Sequence, residues 1–153
     1  MPEPEPFVKK WKAATGPRYN RRVDAFLAAE ARQALEALSA LSPRKKLFGI
    51  LLGHTRGHRF IVEKIFPSPE TMSLSPRNIL RIDELFAGKA VGFYASGEIA
   101  PLKAKLRQPA AAGRLLLAVR QAKRGPVIKA YGIDFDGRFR FLPLPLTIEE
   151  TGP

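Results

Sequence analysis

Three kinds of side chain in this sequence are suited to chemistry. The first is imidazole. His54 and His58 stand with three residues between them. A zinc ion takes three protein ligands at a catalytic site and four at a structural one. With zero cysteines in the chain, further ligands would have to be Asp or Glu. The same absence excludes disulfides, thiolate nucleophiles and Cys-based zinc sites together. The histidines flank Gly57, so turn residues are the simpler account of them. The second kind is hydroxyl. Ser96 would act as a nucleophile only with a general base beside it, and both histidines fall in a different expected hairpin. The third is cationic. Lys103, Lys105, Arg107, Arg120, Lys123 and Arg124 are candidates for holding an anion, in a stretch from Ile99 through Ile133 that has no acidic residue.

The whole chain carries 26 basic and 14 acidic residues, a net charge of +12. That balance suits an anionic partner, either nucleic acid or an acidic protein surface. Cationic contact alone gives nucleic-acid binding that weakens with salt. No nucleic-acid-binding signature accompanies it here. The glycine pair Gly49 and Gly53 encloses an apolar run with no Lys-Ser/Thr after it, so it is not a phosphate loop.

The elements that must position these groups follow from periodicity. One domain is expected over residues 20–148, with tails at 1–19 and 149–153. Apolar residues at Val23, Leu27, Ala31, Leu35, Leu38 and Leu41 predict a helix over 20–41, with Asn20 as its cap and Ser42-Pro43 as its stop. Leu47 to Gly53 and Arg59 to Phe66 predict a β-hairpin, its loop running from His54 to Gly57. Ser75-Pro76 opens a second helix, and Gly88 closes it. Strands are expected at 89–95, 115–119 and 127–135, and after the Asp136-Gly137 turn. Residues 100–108 form a short helix or an ordered loop. The sum is an α/β fold, a mixed sheet of about six strands flanked by helices. The aromatics Phe93, Tyr94, Tyr131, Phe139 and Phe141 have core spacing.

Two motifs carry a family resemblance. Lys46-Leu47-Phe48-Gly49-Ile50-Leu51-Leu52-Gly53 is similar to an acid, two residues and Gly-Leu-Leu-Leu-Gly. Val91-Gly92-Phe93-Tyr94-Ala95-Ser96-Gly97 is similar to Val-Gly-Trp-Tyr-His-Ser-His. Both patterns, and their spacing, resemble the JAB/MPN domain family, over roughly residues 22–146. The resemblance implies a JAB/MPN-like (cytidine-deaminase-like) architecture. Active members of that family are zinc isopeptidases, with two His and one Asp as ligands and a Glu that activates the metal-bound water. Here the resemblance puts Lys46 at the base position, Ala95 and Gly97 at the two His positions and Gln108 at the Asp position, with Lys105 where a Ser would stand. It leaves Ser96 as a vestige of the His-Ser-His motif.

None of these side chains except Ser96 matches the family's chemistry, and an amine beside the site opposes a cation. The resemblance therefore implies an inactive, metal-free relative with no cofactor, acting as a scaffold or protein-binding module. Its expected partner is another copy, an active relative or a ubiquitin-like protein. Candidate surfaces are the vestigial cleft of Lys46, Tyr94, Ser96 and Glu98, and the first helix. Glu98 is expected to pair with Lys46 in place of the metal. A basic nucleic-acid-binding domain and a hydrolase with relocated catalytic residues are the alternatives. The acidic, proline-rich start is the reverse of a secretory signal, and no apolar run approaches the roughly 18 residues of a spanning helix. A cytoplasmic protein without a membrane segment is expected.

Overall fold

The computed structural model describes residues 23–41, 46–68 and 74–150. The expected N-terminal tail, the Asn20 cap and the Ser42-Pro43 stop lie outside them. Among the described residues eight strands and three helices are formed in the order β1 (Asp24–Leu27), α1 (Ala29–Leu41), β2 (Phe48–Arg56), β3 (Arg59–Pro67), α2 (Pro76–Leu85), β4 (Ala90–Ser96), α3 (Ala100–Lys105), β5 (Leu115–Ala122), β6 (Gly125–Phe135), β7 (Phe139–Leu144) and β8 (Leu146–Ile148). A 3-10 turn at Pro109–Ala111 precedes β5. The sheet is mixed, with the order β7-β6-β5-β4-β2-β3-β1-β8.

The mixed α/β fold agrees with the sequence, but the sheet has eight strands where about six were expected. The helix expected over 20–41 is in fact a strand and then a helix. Val23, Ala25 and Leu27 are buried while Asp24 and Phe26 are not, an alternation of period two. β1 pairs in parallel with both β3 and β8. Asp24 is held by a two-pronged bond from Arg59, Nε to Oδ1 at 3.0 Å and Nη2 to Oδ2 at 2.9 Å. The helix starts only at Ala29, whose N–H donates to Glu149 Oε1 at 2.9 Å. Glu149 also donates its own N–H to Leu27 O at 2.9 Å, so this residue of the expected C-terminal tail caps α1 from 120 residues away.

The β2–β3 loop is tighter than expected. His54, Thr55 and Arg56 are strand residues, and Gly57, at φ +61°, makes the turn. The α2 boundaries follow their signals. Ser75 Oγ accepts from Asn78 N–H at 3.2 Å, and Gly88, at φ +77°, donates to Asp83 O at 2.9 Å.

One residue, Pro145, separates β7 from β8, yet these are the two edge strands. The sheet must therefore curl until its edges meet, and Ala25 N–H donates to Pro145 O at 3.0 Å at the seam. Curling leaves two apolar faces. One is covered by α1, through Ala31 and Leu35, against Leu51, Val62, Leu115 and Leu117. The other is covered by α2 and the segment after β4, with Ile79, Ile82, Leu106 and Ala111 against Ile50, Phe93, Leu116 and Ile133. Among the described residues no helix is long and apolar enough to cross a membrane.

Candidate functional site

β4 lies between β2 and β5, and every residue from Ala90 to Ala95 is buried. The chain leaves the sheet at Gly97, whose φ of +75° suits glycine. β2 enters beside this exit, Phe48 opposite Ala95. Ser96 fastens the two segments. Its N–H donates to Leu47 O at 3.0 Å, and its Oγ accepts from Leu47 N–H at 2.7 Å. α3 then folds back over the sheet and borders an open cavity of about 310 Å³. The apolar lining includes Phe48, Leu74, Ala95 and Leu102. Lys46, Ser96, Glu98 and Lys105 supply the polar groups.

The structure gathers most of the residues that the sequence resemblance singled out. Lys46, Ala95, Ser96 and Glu98 line the cavity. Gly97 faces it indirectly: the nearest neighbour of a Cβ built there would be Lys46 Cγ, at 4.0 Å. Gln108 ties two walls together, its Nε2 donating to Lys105 O at 2.8 Å and also to Leu74 O, while its Oε1 is buried without a hydrogen bond. Lys46 and Glu98, expected to pair, form no salt bridge although both border the cavity. Both are exposed, and in water such a pair gains little over two hydrated ions.

Tyr94 does not belong to the cleft. Adjacent strand residues point to opposite faces, and Tyr94 is buried with the α1-side cluster. Its ring occupies the space above Gly49, where a Cβ would lie 2.4 Å from Cε2. Burial pushes its phenol up from 10.0 to about 12. The folded state thus favours the neutral phenol. The stability this confers is complete below pH 10 and is lost as pH rises toward 12. Unfolding free energy should fall by about 2–3 kcal/mol across that window. Tyr94→Phe should remove that part of the slope in urea titrations across the same pH range.

The basic residues divide by role. Lys103 Nζ sits 4.7 Å from the Tyr131 ring centroid and 5.3 Å from that of Phe141, and Arg107 Cζ is 5.4 Å from the Phe141 centroid. Arg107 also donates to Phe139 O at 3.2 Å. These two cations dock α3 and its exit onto the sheet, with Lys103 half-buried and Arg107 still exposed. Lys105 stands on the cavity rim. Arg120, Lys123 and Arg124 are exposed at the β5–β6 end, with no salt bridge among the described residues. The parallel register of Ser96 with Val119 puts that hairpin at the same end of the sheet as the cavity.

Among the described residues no group of three or more His, Cys, Asp or Glu is placed to hold a metal. His54 Nδ1 lies 3.5 Å from Glu63 Oε1 across the β2–β3 hairpin, at the end of β2 away from the cavity. No imidazole lines the cavity to activate Ser96. Chemically, the site can enclose an apolar group and meet charge at its rim. Sequence reasoning missed Phe48, Leu74 and Leu102 as its lining. Only the Ser75-Pro76 cap hinted that Leu74 is fixed at a helix entrance.

Fold and site together define a single-domain α/β protein, its mixed sheet covered by helices, with a small cavity at the C-terminal end of β4. A solved structure with this fold is the solution structure of protein DSY2949 from Desulfitobacterium hafniense. It is similar with a TM-score of 0.60 and 18% sequence identity, over 83% of this chain and 94% of that one. No protein-family model matches the sequence, and no curated protein matches it.

Proposed function

We propose that this domain is a metal-free relative of the JAB/MPN family that binds another protein and carries out no hydrolysis. The supporting observation is that positions 46 and 95 line one cavity, where they bear an amine and a methyl group, while position 97, a glycine, stands beside Lys46. Neutral imidazoles and a carboxylate would be needed there to bind zinc and to take a proton from its water. A lysine, cationic at neutral pH, repels the ion that such chemistry requires. What is left is a recess closed by Ser96 and Gln108, suited to holding a partner's segment in place.

The test uses the full chain purified from zinc-supplemented medium. Expected are zinc far below one ion per chain and no cleavage of isopeptide-linked or linear substrates. Stoichiometric zinc retained through dialysis overturns the reading. So does cleavage that survives chelator and disappears in Ser96→Ala, which is the behaviour of a relocated hydrolase site.

A further inference from the structure

The chemistry of the partner can be drawn from what surrounds the cavity, on the reading that it is a binding site. The apolar part of the lining, Phe48, Leu74, Ala95 and Leu102, disfavours a charged group placed against it. A volume of about 310 Å³ is at the small end for ligand cavities, which run about 300–1,000 Å³. It has room for an apolar side chain and not for a large cofactor.

The rim is cationic. Lys46 and Lys105 border the opening. Arg120 follows Val119, the partner of Ser96 in the next strand. Leu115, Leu117 and Val119 belong to the α1-side cluster and Leu116 to the opposite one. By alternation Arg120 therefore shares the face of Leu116, which is the cavity's face. On β6, Tyr131 belongs to that same face, so Lys129 does too, and it pairs with Ala118. Lys46, Lys105, Arg120 and Lys129 are all exposed, and none forms a salt bridge with a described residue. Glu98 is the single carboxylate among the residues lining the cavity.

An apolar recess flanked by a one-signed row of unpaired cations fits a particular ligand. We propose that the cavity takes an extended acidic peptide segment of a partner protein. One apolar side chain of the segment seats in the recess, and flanking carboxylates meet Lys46 and Lys105 on one side and Arg120 and Lys129 on the other. A nucleic acid fits less well, because base binding needs open aromatic faces. Phe48 is stacked on Phe93 at 6.1 Å. Tyr131 and Phe141 are capped by Lys103 and Arg107.

The experiment is fluorescence anisotropy on the full chain with a labelled peptide in which one Leu is flanked by Glu and Asp. Controls replace Leu by Ser or all carboxylates by amides, and a labelled single-stranded DNA of equal charge is run in parallel. Expected is salt-sensitive binding of the acidic peptide, weakened about tenfold or more by Leu→Ser and by Lys46→Glu with Lys105→Glu. Those two substitutions are at exposed positions and should leave the fold intact. Ala95→Trp, which fills the recess, should abolish binding if the variant folds. Equal binding of the amide control, or tighter binding of the DNA, overturns the proposal. Absence of binding overturns it as well. Mass spectrometry of the recovered peptide separates the two readings. An intact, unbound peptide defeats only this inference, whereas a cleaved one defeats the non-catalytic reading beneath it.

Discussion

Gly92→Ala should destabilise the domain by about 3 kcal/mol or more, a large effect for one added methyl group. Gly92 lies in β4, paired in parallel with Leu115. A Cβ built there would sit 2.0 Å from Leu115 O, 2.7 Å from its C and 2.8 Å from its N. Those are backbone atoms of an inner strand, so no side chain can rotate away. Relief requires β4 and β5 to separate, which breaks ladder hydrogen bonds in the middle of the sheet. The melting temperature should drop by about 6–12 °C, at roughly 2–4 °C per kcal/mol for a domain of this size. Gly57→Ala is the informative comparison. It adds a methyl group with no atom within 4 Å and meets only the cost of its φ of +61°. Equal melting temperatures for the two variants would show that the close approach at Gly92 is wrongly described.

Arg114→Ala should also cost about 3 kcal/mol. The guanidinium joins three elements. Its Nη1 donates to Asp83 Oδ1 and to Ala90 O, both at 2.8 Å, its Nη2 pairs with Asp83 Oδ2, and its Nε donates to Ala110 O at 2.9 Å. The arginine side chain is 17% exposed. Truncation leaves two carbonyls and a carboxylate without this donor at the junction of α2, β4 and the 3-10 turn. Arg114→Lys should restore only part of the loss, since one ammonium cannot reproduce the planar fork. Asp83→Ala should cost less, because Asp83 is the more exposed partner and both carbonyl bonds to Arg114 survive it. Urea midpoints at unchanged m-value measure all three. A loss below about 1 kcal/mol for Arg114→Ala would mean that water replaces the fork with ease.

Local signals in the sequence were sufficient for elements whose ends are set by local chemistry. The Ser75-Pro76 cap, the Asp136-Gly137 turn and the apolar run before Gly53 each act within a few residues, and each element formed where these residues put it. β1 was hidden because Val23, Leu27 and Ala31 satisfy a helical period while Val23, Ala25 and Leu27 satisfy a strand's. The choice is made by β3 and β8, whose pairing partners lie more than 30 and more than 100 residues away, beyond what a local window reads.

The same division runs through the site. The motif spacing brought out Lys46, Ala95, Ser96 and Gly97, because residues at facing strand ends are fixed by register. Tyr94 was misplaced because sequence neighbours in a strand face opposite ways. Lys103 and Arg107 looked like free cations, since nothing near them in sequence reveals that Tyr131 and Phe141 lie beneath α3. The motif glycines also acquire a physical reason. Gly53 and Gly92 admit neighbouring backbone, with a Cβ at Gly53 falling on Ile61 O, and Gly49 admits the ring of Tyr94. These positions would demand glycine in any protein with this strand packing, whatever its chemistry.

The joint at Pro145 has a consequence for biosynthesis. β1 and the start of α1 leave the ribosome early, but their remaining neighbours, Leu146–Ile148 and the carboxylate of Glu149, are translated more than 100 residues later. Until then β1 has one open flank and the first turn of α1 has an uncapped N–H. Closure of the sheet is thereby deferred until these residues are made, and the nascent chain carries an exposed strand edge of the kind that chaperones shield.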